Sequence, residues 1–301
     1  MLPPVRIIVA GGSGFLGRAL QKRLGEGGHT VLTLTRRPKP GDSTHILWQP
    51  DGTVGPWAEA LNGVDAVINL AGEGIADGRW SAARKKALRD SRLLPTRSLV
   101  AAFQRMSRPP STLVSASGVD YYGDRGDEIV TEATPSGADF LATLCVEWER
   151  EAEQASPIAR VAMLRSGVVL HATGGALARM LLPFRLGLGG RLGSGRQYLP
   201  WIHRDDWTRL VEWILATATC RGAFNATAPN PATNAAFTRG LGQALRRPAV
   251  VPIPALALRV ALGELAGVLL SSKRAIPARA QEMGFEFRFP EIESALSQLL
   301  A

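Results

Sequence analysis

Cysteine, tyrosine, histidine and lysine are all scarce in this chain, whose 301 residues hold two, three, four and five of them. Cys145 and Cys220 stand 75 residues apart. That excludes a disulfide framework and a cysteine-based metal cluster, and makes a reducing cytoplasm the expected compartment. His29, His45, His171 and His203 lack metal-ligand spacing, so no metal is expected. Long apolar runs are missing too. The most apolar stretch, residues 254–270, has 17 residues with Arg259 and Glu264 among them, short of a membrane span. It reads as one buried or partner-facing helix. The opening MLPPVRIIVAGG has too brief an apolar run for a secretory leader.

With so little lysine, the net charge of +9 comes mainly from arginine. Such a surface favours anionic partners in general. The arginines are scattered, however, and no zinc spacing, basic heptad helix or aromatic ribonucleoprotein motif accompanies them, so no nucleic-acid partner is expected. The basic stretch SAARKKALRDSR alternates with apolar residues at helical spacing and reads as a solvated helix face. A composition of 46% hydrophobic and 20% charged residues is that of an ordinary globular protein.

Up to residue 170, strand-like and helix-like runs alternate. Strands are expected at 5–10, 30–35, 65–72, 111–117 and 159–170, and helices at about 14–26, 81–106 with a kink or break near Leu94 before Pro95, and 137–155. This order predicts an α/β fold, a Rossmann-like doubly wound parallel sheet. VRIIVA and DAVINLA are apolar almost throughout, as strands covered on both faces are. After residue 171 the texture turns glycine-rich, with helices expected near 204–219, 234–246 and 254–270. The expected organisation is a nucleotide-binding domain over 1–170 and a smaller, mainly C-terminal lobe over 171–301, with segments near 197–228 returning to the main sheet.

VRIIVAGGSGFLGRAL puts Gly11, Gly14 and Gly17 directly between the first strand and the first helix. Glycines there permit a tight turn, close approach of the backbone to a pyrophosphate and close helix packing, and the helix N-terminus adds free N–H groups. The second strand runs into TLTRRPKPGD, so Arg36 stands 19 residues beyond Gly17, where a carboxylate would hold the ribose of NAD. An arginine pairs instead with a 2'-phosphate, and Arg37 adds a second cation, which selects NADP; the other reading is a basic surface turn. In NLAGEG, Asn69 is open to two roles, a bond to neighbouring backbone or a cofactor contact.

GGSGFLG, LTRRP, NLAGE, SASGVDYYG, LRSGVVL and WIHRDD together resemble the extended short-chain dehydrogenase/reductase superfamily of NAD(P)-dependent epimerases and dehydratases, over nearly the whole chain. GRW, CVEWE and GFEFRFPEIESAL narrow the likeness to a subgroup of sugar-nucleotide-epimerase-like proteins, some labelled cell division inhibitors. The resemblance implies NADP contacts from Gly11, Gly12, Ser13, Gly14, Phe15, Leu16 and Gly17, from Arg36 and Arg37, from Leu70, Ala71 and Gly72, and from Ser115 and Gly167. It implies a small polar substrate, possible sugar nucleotides included, and pairing as a homodimer. Tyr122, Trp201 and His203 are the candidate substrate contacts, with packing for Tyr122 and a structural hydrogen bond for His203 as the alternatives.

In the superfamily a serine after the fifth strand works with a Tyr-x-x-x-Lys pair on the next helix. Ser117 matches the serine, at the carboxyl end of a strand expected to lie next to the one that carries Gly11. Between residues 126 and 156 there is neither tyrosine nor lysine, and Leu141 and Cys145 take their places. Acid–base work then falls to the polar groups near Ser117, which are Tyr121, Tyr122, Arg125 and Cys145; the candidates are Ser117 with Tyr121, whose four-residue spacing to Arg125 offers a cation to lower its pKa. Cys145 reads as an inert small hydrophobe. The activity expected is that of an NADP-dependent oxidoreductase or epimerase; the competing reading is an NADP(H)-sensing protein that lost turnover.

Overall fold

The computed structural model describes residues 4–301, so Met1, Leu2 and Pro3 of the opening stretch lie outside the described residues. In chain order the first elements are β1 (Arg6–Ala10), α1 (Phe15–Glu26), β2 (Thr30–Thr35), β3 (His45–Leu47), β4 (Ala66–Asn69), α2 (Ala82–Phe103) and β5 (Thr112–Gly118). Then come β6 (Ile129–Val130), α3 (Phe140–Glu153), β7 (Arg160–Ser166), β8 (Val168–Leu170), α4 (Gly175–Arg185), β9 (Tyr198–Leu199), β10 (Trp201–His203), α5 (Arg204–Ala216) and β11 (Gly222–Ala226). The chain ends with β12 (Ala232–Thr233), α6 (Asn234–Leu245), α7 (Ala255–Leu262), α8 (Leu265–Leu270), β13 (Arg274–Ala275), α9 (Ala278–Glu282) and α10 (Ile292–Leu300).

Seven strands form one sheet in the order β11-β7-β5-β4-β1-β2-β3, every pair parallel. Alternation along β1 sends Ile7 and Val9 to a face covered by Leu20 and Leu24 of α1 and Leu210, Val211 and Ile214 of α5. Ile8 and Ala10 go to the other face, beneath Leu99, Val100 and Phe103 of α2 and Ala152 of α3. A strand wrapped on both sides has no polar face to offer, which is why these strands are apolar throughout. A third core joins α4, α6 and α10 through Leu177, Leu181, Phe237, Leu241 and Leu296.

Four expectations change. β5 is separated from β1 by β4, so Ser117 is not on the strand next to Gly11. Helix α2 runs through buried Pro95 without a break. The strand expected over 159–170 divides at Gly167, where a Cβ would stand 2.5 Å from the Pro200 carbonyl oxygen; β7 stays in the sheet and β8 pairs with β10. The helix expected over 254–270 becomes α7 and α8, divided at Gly263, whose φ of 61° is strained for any side-chain-bearing residue. Among the described residues, no helix is long and apolar enough to cross a membrane, and no cluster of His, Cys, Asp and Glu could hold a metal ion.

Candidate active site

The carboxyl ends of β1, β2 and β4 open into a cleft of about 590 Å³. Its lining includes Gly11, Ser13, Gly14, Arg36, Arg37, Leu70, Ala71 and Gly72, all singled out in the sequence. The sequence did not point to Trp48, Glu73, Asp90, Ser91 or Leu94, which also line it. Helix α1 starts here with no side-chain cap and no acidic residue in its first turn. Its leading N–H groups and positive dipole end are therefore left for a ligand. Gly12, Gly17, Phe15 and Leu16 do not line the cleft; Phe15 and Leu16 pack against the core under α1. A Cβ on Gly17 would stand 2.4 Å from the Gly11 carbonyl oxygen, and the Phe15 ring packs on Gly174 and Gly175. Arg36 and Arg37 are exposed, and neither pairs with a carboxylate among the described residues.

Asn69 takes the structural role. Its Oδ1 accepts from the Ala71 N–H at 3.2 Å and its Nδ2 donates to Thr96 Oγ1 at 2.9 Å. The same threonine accepts from Trp148 Nε1 at 3.0 Å and donates to the Arg92 carbonyl at 2.7 Å. The loop after β4 is thereby fastened to α2 and α3 beneath the cleft.

Ser117 and Tyr121 line neither this cleft nor the cavity described next. Ser117 is buried and donates to Glu149 Oε1 at 2.7 Å. Glu149 in turn receives both arms of Arg165, Nε to Oε1 and Nη2 to Oε2, each at 2.8 Å. Arg165 Nη1 donates to the Tyr122 hydroxyl at 2.9 Å, and that hydroxyl donates to Asn225 Oδ1 at 2.7 Å. Burial works against the Arg165 charge, but the hydrogen bonds it donates to Glu149 prevail and hold the guanidinium above its ordinary pKa. Tyr121 lays its ring on Arg165, with the guanidinium carbon 3.5 Å from the ring centre. Its expected partner Arg125 is turned to the Tyr122 and Pro135 carbonyls.

The three expected substrate contacts are core residues in this structure. Tyr122 and Trp201 are fully buried, and Trp201 Nε1 donates to the Asn230 carbonyl. His203 caps α5 by accepting from the Asp205 N–H at 3.0 Å, bonds Gln298 and stacks on Phe289. Ser115 is buried in β5, and Gly167 packs against Pro200. Each was readable as polar or small, but the sequence does not say which way a strand-end hydroxyl turns.

A second cavity, about 250 Å³, lies against Leu141, the residue at the tyrosine position. Trp80, Phe140, Asp120, Asp124, Asp139, Glu264 and Lys273 also line it. Lys273 is buried, 3.1 Å from Asp120 Oδ1 and 2.6 Å from Ser271 Oγ. The sequence reading missed this pair, because its members come from loops 153 residues apart. Cys145, at the lysine position, is buried, and desolvation pushes its thiol up to about 12. The thiolate needed for attack is then a very minor species at neutral pH in the folded protein. Alkylation of Cys145 with iodoacetamide is expected to stay slow from pH 7 to 9 and to become fast only after denaturation. Mass-spectrometric labelling rates check this, and fast labelling of the native protein at pH 8 would overturn it.

Two family models match the chain. Residues 7–226 match the NAD dependent epimerase/dehydratase family, and residues 253–299, which include Lys273, match a domain of unknown function, DUF1731. Epimerase family protein Mb2239 of Mycobacterium bovis is 45% identical over 295 residues, covering 96% of each chain. Epimerase family protein SDR39U1 of Bos taurus is 40% identical, covering 99% of this chain and all of that one. The crystal structure of human SDR39U1 (isoform 2) with NADPH is similar at a TM-score of 0.91 and 37% identity, covering 98% of this chain and 99% of that one. With its seven parallel strands, its glycine turn and its lost Tyr-x-x-x-Lys pair, the chain belongs to the NAD-dependent epimerase/dehydratase family as an atypical extended short-chain dehydrogenase/reductase.

Proposed function

We propose that the chain is an NADP(H)-dependent oxidoreductase or epimerase-like enzyme acting on a small polar substrate. The observation that carries the reading is the cleft: an uncapped helix N-terminus at one wall and two unpaired arginines, Arg36 and Arg37, at the other. The first suits a pyrophosphate and the second a 2'-phosphate. Trp48 also lines the cleft, and its indole N–H is buried with no acceptor among the described residues. The NADPH held by human SDR39U1 supports the same cofactor here. In this reading Gly11, Ser13, Gly14, Leu70, Ala71 and Gly72 bind the cofactor directly, while Gly12, Phe15, Leu16, Gly17, Ser115 and Gly167 shape its bed.

Bound there, the nicotinamide supplies or accepts a hydride. The cavity against Leu141 is the substrate chamber, with Asp120 and Lys273 as its ionisable pair. Ser117 and Tyr121 act through position, Ser117 by fixing Glu149 and Tyr121 by covering Arg165. A second reading, an NADP(H) sensor without turnover, draws on the commitment of the Ser117 hydroxyl to Glu149. NADPH oxidation across a panel of small aldehydes and ketones separates the two.

The cofactor choice has its own test. Losing a charge-assisted contact costs about 1.5–3 kcal/mol, so Arg36→Ala is expected to weaken NADPH by roughly 10- to 150-fold and leave NADH unchanged. Calorimetric titration measures both. Equal affinity of the unaltered protein for NADPH and NADH would sink the NADP assignment.

A further inference from the structure

Arg92 of α2 is a cation without an anion. No carboxylate of the described residues lies within ion-pair distance of it; Glu73 and Asp120 act on it only from farther off. Its neighbours are neutral: Nη1 donates to the Leu88 carbonyl at 2.9 Å and, more weakly, to Ser91 Oγ at 3.4 Å, and Nη2 donates to the Glu73 carbonyl at 2.9 Å. Nε and the second N–H of Nη2 have no protein acceptor among these bonds. The guanidinium also lies 5.3 Å from the Trp148 ring centre. These contacts fix its position and leave its charge uncompensated. Desolvation pulls its pKa below the ordinary arginine value, the direction expected for an enclosed charge awaiting a partner.

Its position says what that partner is. A Cβ on Gly72, which lines the cofactor cleft, would stand 3.4 Å from Arg92 Cγ and Cζ. On its other side Arg92 lies over the ring of Trp148, which is buried on α3 one helical turn from Cys145, the residue at the place of the superfamily lysine. Helix α2 thus brings a cation from outside the missing motif to the junction of the cleft and the vacated lysine position. We infer that Arg92 stands in for that lysine, donating to the oxygen atoms of the ribosyl-phosphate on the nicotinamide half of the cofactor. Arg92 is therefore a cofactor-binding and orienting residue. An arginine does not shuttle protons at neutral pH, so the substitution keeps the lysine's binding duty and drops its share in proton exchange.

The inference rests on the NADP(H) reading, and two probes separate them. NADPH carries both halves of the cofactor, whereas 2',5'-ADP carries only the adenosine half with its 2'-phosphate. Arg92→Met is expected to weaken NADPH at least tenfold and to leave 2',5'-ADP within twofold of the unaltered protein, both measured by calorimetry. Arg36→Ala should weaken both probes. Equal losses of NADPH and 2',5'-ADP in Arg92→Met would mean that Arg92 only ties the loop after β4 to α2, and unchanged NADPH affinity would mean that it touches nothing; either result overturns the inference while the cofactor reading stands. An unaltered protein that binds neither probe refutes the cofactor reading itself. Thermal unfolding checks that the variant is folded. If Arg92→Met does not fold, Arg92→Gln, which keeps donors and loses charge, decides by the same comparison, with at least a fivefold loss confined to NADPH expected.

Discussion

Arg165→Leu is expected to destabilise the fold by about 3–5 kcal/mol, the usual cost of removing one partner of a buried ion pair. The loss has several parts. Glu149 would keep a charge in the core with only Ser117 to donate to it, and the Tyr122 hydroxyl would lose the guanidinium it accepts from. Tyr121 would lose the surface on which its ring rests. Urea denaturation followed by tryptophan fluorescence measures the change. Replacing both partners, as Arg165→Leu with Glu149→Leu, removes the stranded charge and is expected to recover at least half of the loss. A single-variant loss under about 1 kcal/mol would place this network among ordinary surface pairs.

The other large effect belongs to Gly17→Ala, which is expected to weaken NADPH at least a hundredfold, about 2.7 kcal/mol. The added methyl would stand 2.4 Å from the Gly11 carbonyl oxygen and 2.6 Å from the Gly12 Cα. Both are backbone atoms of the turn, so no side chain can rotate away, and the turn itself must open where the pyrophosphate would sit. Gly25→Ala on the same helix is the control. Nothing lies within 4 Å of a Cβ there, and alanine is the better helix former. Titration of the two variants side by side should show loss in the first and none in the second. Equal affinities would sink the reading of this turn as a cofactor cradle.

The glycine turn and the two arginines that line the cleft were legible because each is local in sequence. The glycine turn and α1 are contiguous, and Arg36 directly follows β2, so spacing alone places them. The doubly wound sheet was legible for the same reason, through its alternating apolar runs. β3 was not: it has three residues, and its pairing with β2 comes from the fold around it. Ser117 was found, but its direction was not, because that depends on Glu149 and Arg165 arriving from α3 and β7. A charged residue inside apolar RVAMLRS was the available sign of a buried partner, with Glu149 in CVEWE the carboxylate to match it. Arg92 gave no such sign. Among the many arginines of this chain, the absence of a counterion becomes visible only in three dimensions.

The last strand of the sheet sets a condition on how the chain is made. β7 is covered on its outer side by β11, from Ala162 against Gly222 to Ser166 against Ala226. Until residue 222 leaves the ribosome, β7 is a bare edge, with unpaired N–H and C=O groups on an apolar strand. The 56 residues from Gly167 to Gly222 take about 3–11 s to add at ordinary synthesis rates. During that interval the half-made sheet is a template for pairing with another chain. A fragment ended at residue 170 would keep that exposed edge permanently, and is expected to precipitate or pair with itself more readily than the full chain.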